Sequence, residues 1–171
     1  MARNGIRLNS RGQTSVEFLF IFLIMLFYLQ VVVQPEIFRV STSVTTLHRA
    51  GQAKMIALRL VNSVNELNAL SGESSETMWL YIPEKVEIAC NAAENSIEYN
   101  IDVEDTKVEE SFLNCVAHPT ETTLKRCYWS MKVAQDAKLN CSNFPAVWGD
   151  NAPVLRVRIF KTANEVYLQQ F

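Results

Sequence analysis

Apolar residues in this chain follow three regimes. Over residues 18–33 they run almost without a break, interrupted only by Tyr28 and Gln30. Over residues 37–67 they recur every three or four positions: Ile37, Val40, Val44, Leu47 and Gly51, then, after a phase shift, Ala53, Ile56, Ala57, Leu60, Val61, Val64 and Leu67. Arg39, Arg49, Lys54 and Arg59 take the other faces, so this spacing predicts an amphipathic helix over 36–70 whose stripe packs on a globular head. The Ser- and Thr-rich stretch 41–46 weakens the case for unbroken helix. Ser71-Gly72-Glu73-Ser74-Ser75 ends it with turn residues and a glycine cap.

Beyond residue 75 the period becomes two. Met78, Leu80 and Ile82 alternate with Trp79 and Tyr81, and Val86, Ile88 and Cys90 with small or charged residues. Ile97, Tyr99, Ile101 and Val103 alternate with Glu98 and Asp102, and Leu155, Val157 and Ile159 with Arg156 and Arg158. A turn at 162–164 leads into Val166 and Leu168. These are the marks of antiparallel strands with one wet face. Pro83-Glu84 signals an edge or bend, and 91–95 a turn. Residues 113–148 are less regular and yield one strand around 126–133, then a loop held by Cys127 or Cys141. The pattern predicts an α+β chain: a long N-terminal helix, apolar then amphipathic and kinked near Pro35, followed by an antiparallel β head.

The apolar run would form a helix roughly 24 Å long at ~1.5 Å per residue, a little short of the ~20 residues of a comfortable membrane span. Arg3, Arg7 and Arg11 precede it with no acid among them, which keeps the N-terminus cytoplasmic. An ordinary secretory signal needs small residues after the apolar region. Val31-Val32-Val33-Gln34-Pro35-Glu36 does not provide them. A plain membrane anchor explains the apolarity and the flanking charge, and little else.

Arg11-Gly12-Gln13-Thr14-Ser15-Val16-Glu17 resembles the class III signal peptide of archaeal type IV pilin-like proteins, with Gln13, Ser15 and Glu17 at that family's spacing directly ahead of the apolar helix. The resemblance implies cleavage between Gly12 and Gln13 by a prepilin peptidase and retention of the helix. It also implies a lollipop architecture: a leader over 1–12, a filament-core helix over 13–35, an amphipathic helix over 36–72 and a β-rich head over 73–171. Glu17 is then the fifth mature residue, whose carboxylate in pilins pairs with the N-terminal amine of a neighbouring subunit. A carboxylate at the edge of lipid is costly and usually functional; alternatively it only complements the helix N-terminus. Glu17, Phe18 and Pro35 are the assembly residues on this reading, Pro35 being position 23 of the mature chain. The implied partners are the peptidase, an assembly ATPase, a membrane platform protein and other pilin subunits. The implied location is the membrane, then an extracellular adhesive filament. A minor pilin or pseudopilin, or a membrane-anchored surface-binding protein, remain alternatives.

Charge and cysteines refine this picture. After residue 12, 13 basic residues face 18 acidic ones, a net −5, and residues 84–110 hold nine acids against Lys85 and Lys107. Such a surface does not seek nucleic acid. Cys90, Cys115, Cys127 and Cys141 form an even set that reads as two disulfides if the head is exported. Loop length favours Cys127–Cys141 together with Cys90–Cys115. Zinc is the rival reading, through Cys115 and His118, but no second close pair completes a site. Asn140-Cys141-Ser142 is a glycosylation sequon. Trp79, Trp129 and Trp148 are either buried or a sugar- or surface-binding platform. His48 reads as a surface or packing residue. No phosphate loop, H-E-x-x-H or nucleophile elbow occurs, so neither an enzyme nor a cofactor is expected.

Overall fold

The computed structural model describes residues 10–103, 114–117, 124–150, 154–163 and 165–171, with side chains from residue 16 onward. Helix α1 (Ser10–Tyr28) passes through a π-helical turn (Leu29–Val33) into α2 (Gln34–Ala69). The turn is closed by the Gln34 N–H donating to the Leu29 carbonyl, five residues back. Its cause lies one residue on. Pro35 has no N–H and its ring crowds the carbonyl four residues earlier, and a widened turn relieves that conflict without ending the helix. Where a kink is expected near Pro35, the helix carries this π turn just ahead of it. Residues 41–46 stay helical, with the Thr42 hydroxyl donating to the Arg39 carbonyl at 2.8 Å.

Two compact units divide between Thr42 and Ser43. In the second, the expected amphipathic stripe is only half realised. Ala53, Ala57, Leu60, Val61, Val64 and Leu67 are buried, whereas Val44, Leu47 and Gly51 are exposed, as are Ile37 and Val40 in the first unit. The phase shift after Gly51 is the reason, because residues in the earlier phase lie on a different face of the helix from those in the later one.

Nine strands follow among the described residues: β1 (Ser74–Tyr81), β2 (Val86–Asn91), β3 (Ser96–Val103), β4 (Cys115–Ala117), β5 (Lys125–Lys132), β6 (Leu139–Asn143), β7 (Val147–Trp148), β8 (Val154–Lys161) and β9 (Val166–Gln170). They form a four-stranded sheet ordered β1-β8-β9-β6 and a five-stranded sheet ordered β4-β5-β3-β2-β7. The pairings among these strands are antiparallel except that of β6 with β9, which is parallel. Met78, Leu80, Val157, Ile159 and Leu168 of the first sheet share one core with Val86, Ile88, Ile97, Ile101 and Cys127 of the second and with the buried side of α2. The half-wet strands read from the sequence are thus two sheets, each turning one face to that core.

Polar groups fix the joints. Lys161 on β8 donates to the Asn68 and Leu70 carbonyls at 2.6 and 2.8 Å, capping the C-terminal end of α2, where a cation is favoured. Gly72 (φ 105°) carries the chain out of the helix, since a left-handed residue without Cβ is needed there. Asn95 (φ 53°) closes the β2–β3 turn. Its side chain also donates to the Ala137 carbonyl at 2.6 Å and accepts from the Leu139 N–H at 2.9 Å, setting the entry to β6.

Candidate functional site

The N-terminal motif lies within α1. The backbone from Arg11 to Glu17 is helical, while the side chains of Arg11, Gln13 and Ser15 and all of residues 1–9 fall outside the described part. Glu17 is exposed, and so is Phe18, at 71%. From Val16 to Val32 the apolar side chains are exposed on every side of the helix. The run Val16–Ala69 is the only helix among the described residues long and apolar enough to cross a membrane. Pro35, Ile37 and Phe38 border a shallow apolar hollow beside the π turn.

In the head, Leu47, Met55 and Leu58 extend an exposed apolar strip along α2. With Trp79 and Tyr81 on the edge strand β1 they line an open groove. His48 is exposed beside it.

All four cysteines are paired, but not as loop length suggests. Cys115 bonds Cys127 and Cys90 bonds Cys141. The expected Cys127–Cys141 pairing fails because β-sheet register decides proximity. Cys115 and Cys127 are direct cross-strand partners on β4 and β5, with Cα atoms 4.0 Å apart. Cys90 and Cys141 belong to different sheets that meet across the core. With every thiol oxidised, the zinc reading loses its sulfur ligands; His118 lies outside the described residues. Among those described, no three His, Cys, Asp or Glu side chains gather where a metal could be held.

The sequon residue Asn140 is half-buried on β6. Its amide nitrogen donates to the Glu165 carboxylate at 2.8 Å, and its oxygen accepts from the Ser142 N–H at 3.1 Å and hydroxyl at 2.8 Å. Lys138 meets the other Glu165 oxygen at 2.5 Å. These bonds, Lys138's first, pull the Glu165 carboxyl down to about 2, and Glu165 in turn raises the Lys138 ammonium above its ordinary value.

The three tryptophans do not form one platform. Trp129 stacks on Tyr99 at 5.0 Å against the core, and burial pushes the Tyr99 phenol up. Trp148 lies under the Arg126 guanidinium at 4.7 Å. That arginine also bonds the buried Asp102 at 3.1 Å, which compensates an otherwise costly charge.

Trp79 faces outward from the four-stranded sheet, and its neighbours there were not singled out by sequence reasoning. Arg156 lies opposite it on β8, 5.7 Å from the Trp79 ring and 5.8 Å from that of Phe171. Arg158 is 5.8 Å from Phe160, whose ring stacks on Tyr167 at 4.9 Å and 5°. Alternation places Arg156 and Arg158 on one face of their strand, but only the β1–β8–β9 register reveals which rings stand beside them. Comparison with models of protein families, with curated proteins and with solved structures finds no match for this chain.

Proposed function

We propose that the chain is a structural subunit of an archaeal type IV pilus-like surface filament, cut after Gly12 and assembled through its apolar helix. The observation that carries this reading is the exposure of residues 16–32 on every side of the helix. Burying one large apolar side chain is worth about 1.5–3 kcal/mol, so a helix with such residues all round requires lipid or other helices as its surroundings. Lipid stores the subunit, and neighbouring helices replace lipid in the filament. Glu17, at the edge of that run, is the charge that pairs with the N-terminal amine of a neighbour. The peptidase, ATPase and platform protein are partners by resemblance, and the head supplies adhesion rather than catalysis.

The test is mass spectrometry of native material. We expect a mature N-terminus at Gln13 in membrane and sheared-filament fractions; a cyclised glutamine there would keep the cut but remove the amine charge that Glu17 is to pair with. An intact Met1, or a cut beyond Val33, would remove the basis of the proposal.

The head favours a second reading by its size and its two disulfides. On that reading the chain is a low-abundance subunit that primes or caps a filament or a secretion machine. Its share of the sheared fraction separates the two, because a major subunit dominates there.

A further inference from the structure

The outward face of the four-stranded sheet combines two arginines, Arg156 and Arg158, with four aromatic rings, Trp79, Phe171, Phe160 and Tyr167. Three levels cross β1, β8 and β9: Trp79–Arg156–Phe171, Thr77–Arg158–Gln169 and Ser75–Phe160–Tyr167. Trp79 and Phe171 are more than 60% exposed, and both arginines are exposed. No ion pair among the described residues engages Arg156 or Arg158. Their guanidinium groups instead lie near aromatic rings, which hold them without neutralising them. Glu73 borders the same hollow as Arg158 and Phe160, but the outward positions of the three strands carry both arginines and no acid, in a chain that is net −5 beyond residue 12. Glu165, just ahead of β9, is already engaged by Lys138 and Asn140.

We propose that this face binds an acidic polysaccharide, with uronate carboxylates on Arg156 and Arg158 and sugar rings against Trp79 and the Phe160–Tyr167 pair. Arginine's planar fork matches a carboxylate. The exposed Trp79 ring and the half-buried Phe160–Tyr167 pair offer flat apolar area at little entropic cost, and the Gln169 amide suits hydroxyl groups. A nucleic-acid strand offers anions and flat rings as well, so single-stranded DNA is the rival that the titration must exclude. The proposal concerns the head alone and holds whether or not the chain enters a filament.

The experiment is calorimetric titration of the full chain, in non-ionic detergent, with polygalacturonate, dextran, polyglutamate and single-stranded DNA. We expect polygalacturonate to bind, more weakly as salt rises, and dextran not to. Arg156→Gln/Arg158→Gln and Trp79→Ala should each weaken binding about tenfold or more, with unchanged circular dichroism. Lys132→Gln, on the other sheet, should leave it unchanged. No binding of polygalacturonate overturns the proposal, as does binding that survives both variants. Equal affinity for polyglutamate or DNA overturns it too, since charge alone would then suffice.

Discussion

Cys90 and Cys141 tie the two sheets of the head together, their Cα atoms 5.6 Å apart across 51 positions of sequence. Cys115 and Cys127, 12 positions apart, instead join neighbouring strands of one sheet, at its β4 edge. Loop-closure entropy assigns about 4 kcal/mol to the first bond and about 3 kcal/mol to the second. We therefore expect Cys90→Ala/Cys141→Ala to lower the urea midpoint more than Cys115→Ala/Cys127→Ala. The reverse order would mean that the edge strand, not the contact between sheets, limits stability.

Gly149 and Gly51 should respond to alanine with opposite signs. The Gly149 N–H donates to Val86 at 2.7 Å and its carbonyl accepts from Lys85 at 3.1 Å, which presses it onto the β1–β2 turn. A Cβ there would stand 2.1 Å from the Pro83 carbonyl oxygen, a backbone atom that cannot swing aside. Gly149→Ala should cost about 3 kcal/mol. Gly51 lies exposed in α2, and a Cβ added to it would meet nothing within 4 Å, so Gly51→Ala should add roughly 0.5–1 kcal/mol. Thermal melting of both variants checks the pair, and matching signs would contradict this account.

What the sequence made legible follows from period. The buried alternation of Met78 and Leu80, Ile97 to Val103, and Leu155 to Ile159 located β1, β3 and β8, and the 3.6-residue period located α2. Strands β4, β6 and β7 were missed because they are short, with two to five residues each, and β6 and β7 show no alternation of buried and exposed positions. β6 joins its sheet in parallel, beside β9, a pairing that local pattern cannot encode. The disulfides were misassigned for the same reason, since loop length ignores which strands become neighbours. The outward arginines looked like ordinary wet-face residues until register set Arg156 beside Trp79 and Phe171.

Glu165 makes the parallel β6–β9 edge sensitive to acid. Its carboxyl ordinarily titrates near 4.5 and is held at about 2 in the folded chain by Lys138 and Asn140. A depressed carboxyl stabilises the fold above its unfolded value, and that contribution is lost as pH falls from about 4.5 through about 2. We expect Glu165→Gln to be less stable than wild type at pH 6, with the gap narrowing steadily towards pH 2. Because Asn140 donates its amide hydrogen to the same carboxylate, we also expect peptide mapping to find the sequon unmodified in native protein. A gap independent of pH would assign Glu165 a packing role.

Leu23→Lys separates the demands of the helix from those of the head. Leu23 is half exposed within a run that is apolar on every face, so rotating the helix offers its ammonium no polar side. Insertion scales put a lysine near the membrane centre at about 2.5–3.5 kcal/mol, and close-packed helices in a filament provide no water to relieve it. The head's core, from Ala53 to Leu168, lies wholly in the second compact unit and does not include this position. The variant should therefore disappear from membrane and filament fractions while its head keeps both disulfides and the wild-type melting transition. Fractionation with immunodetection, followed by calorimetry in non-ionic detergent, measures the two parts separately. Normal incorporation of the lysine variant, or a wild-type chain that is soluble and monomeric without detergent, would refute burial of this helix as the basis of assembly.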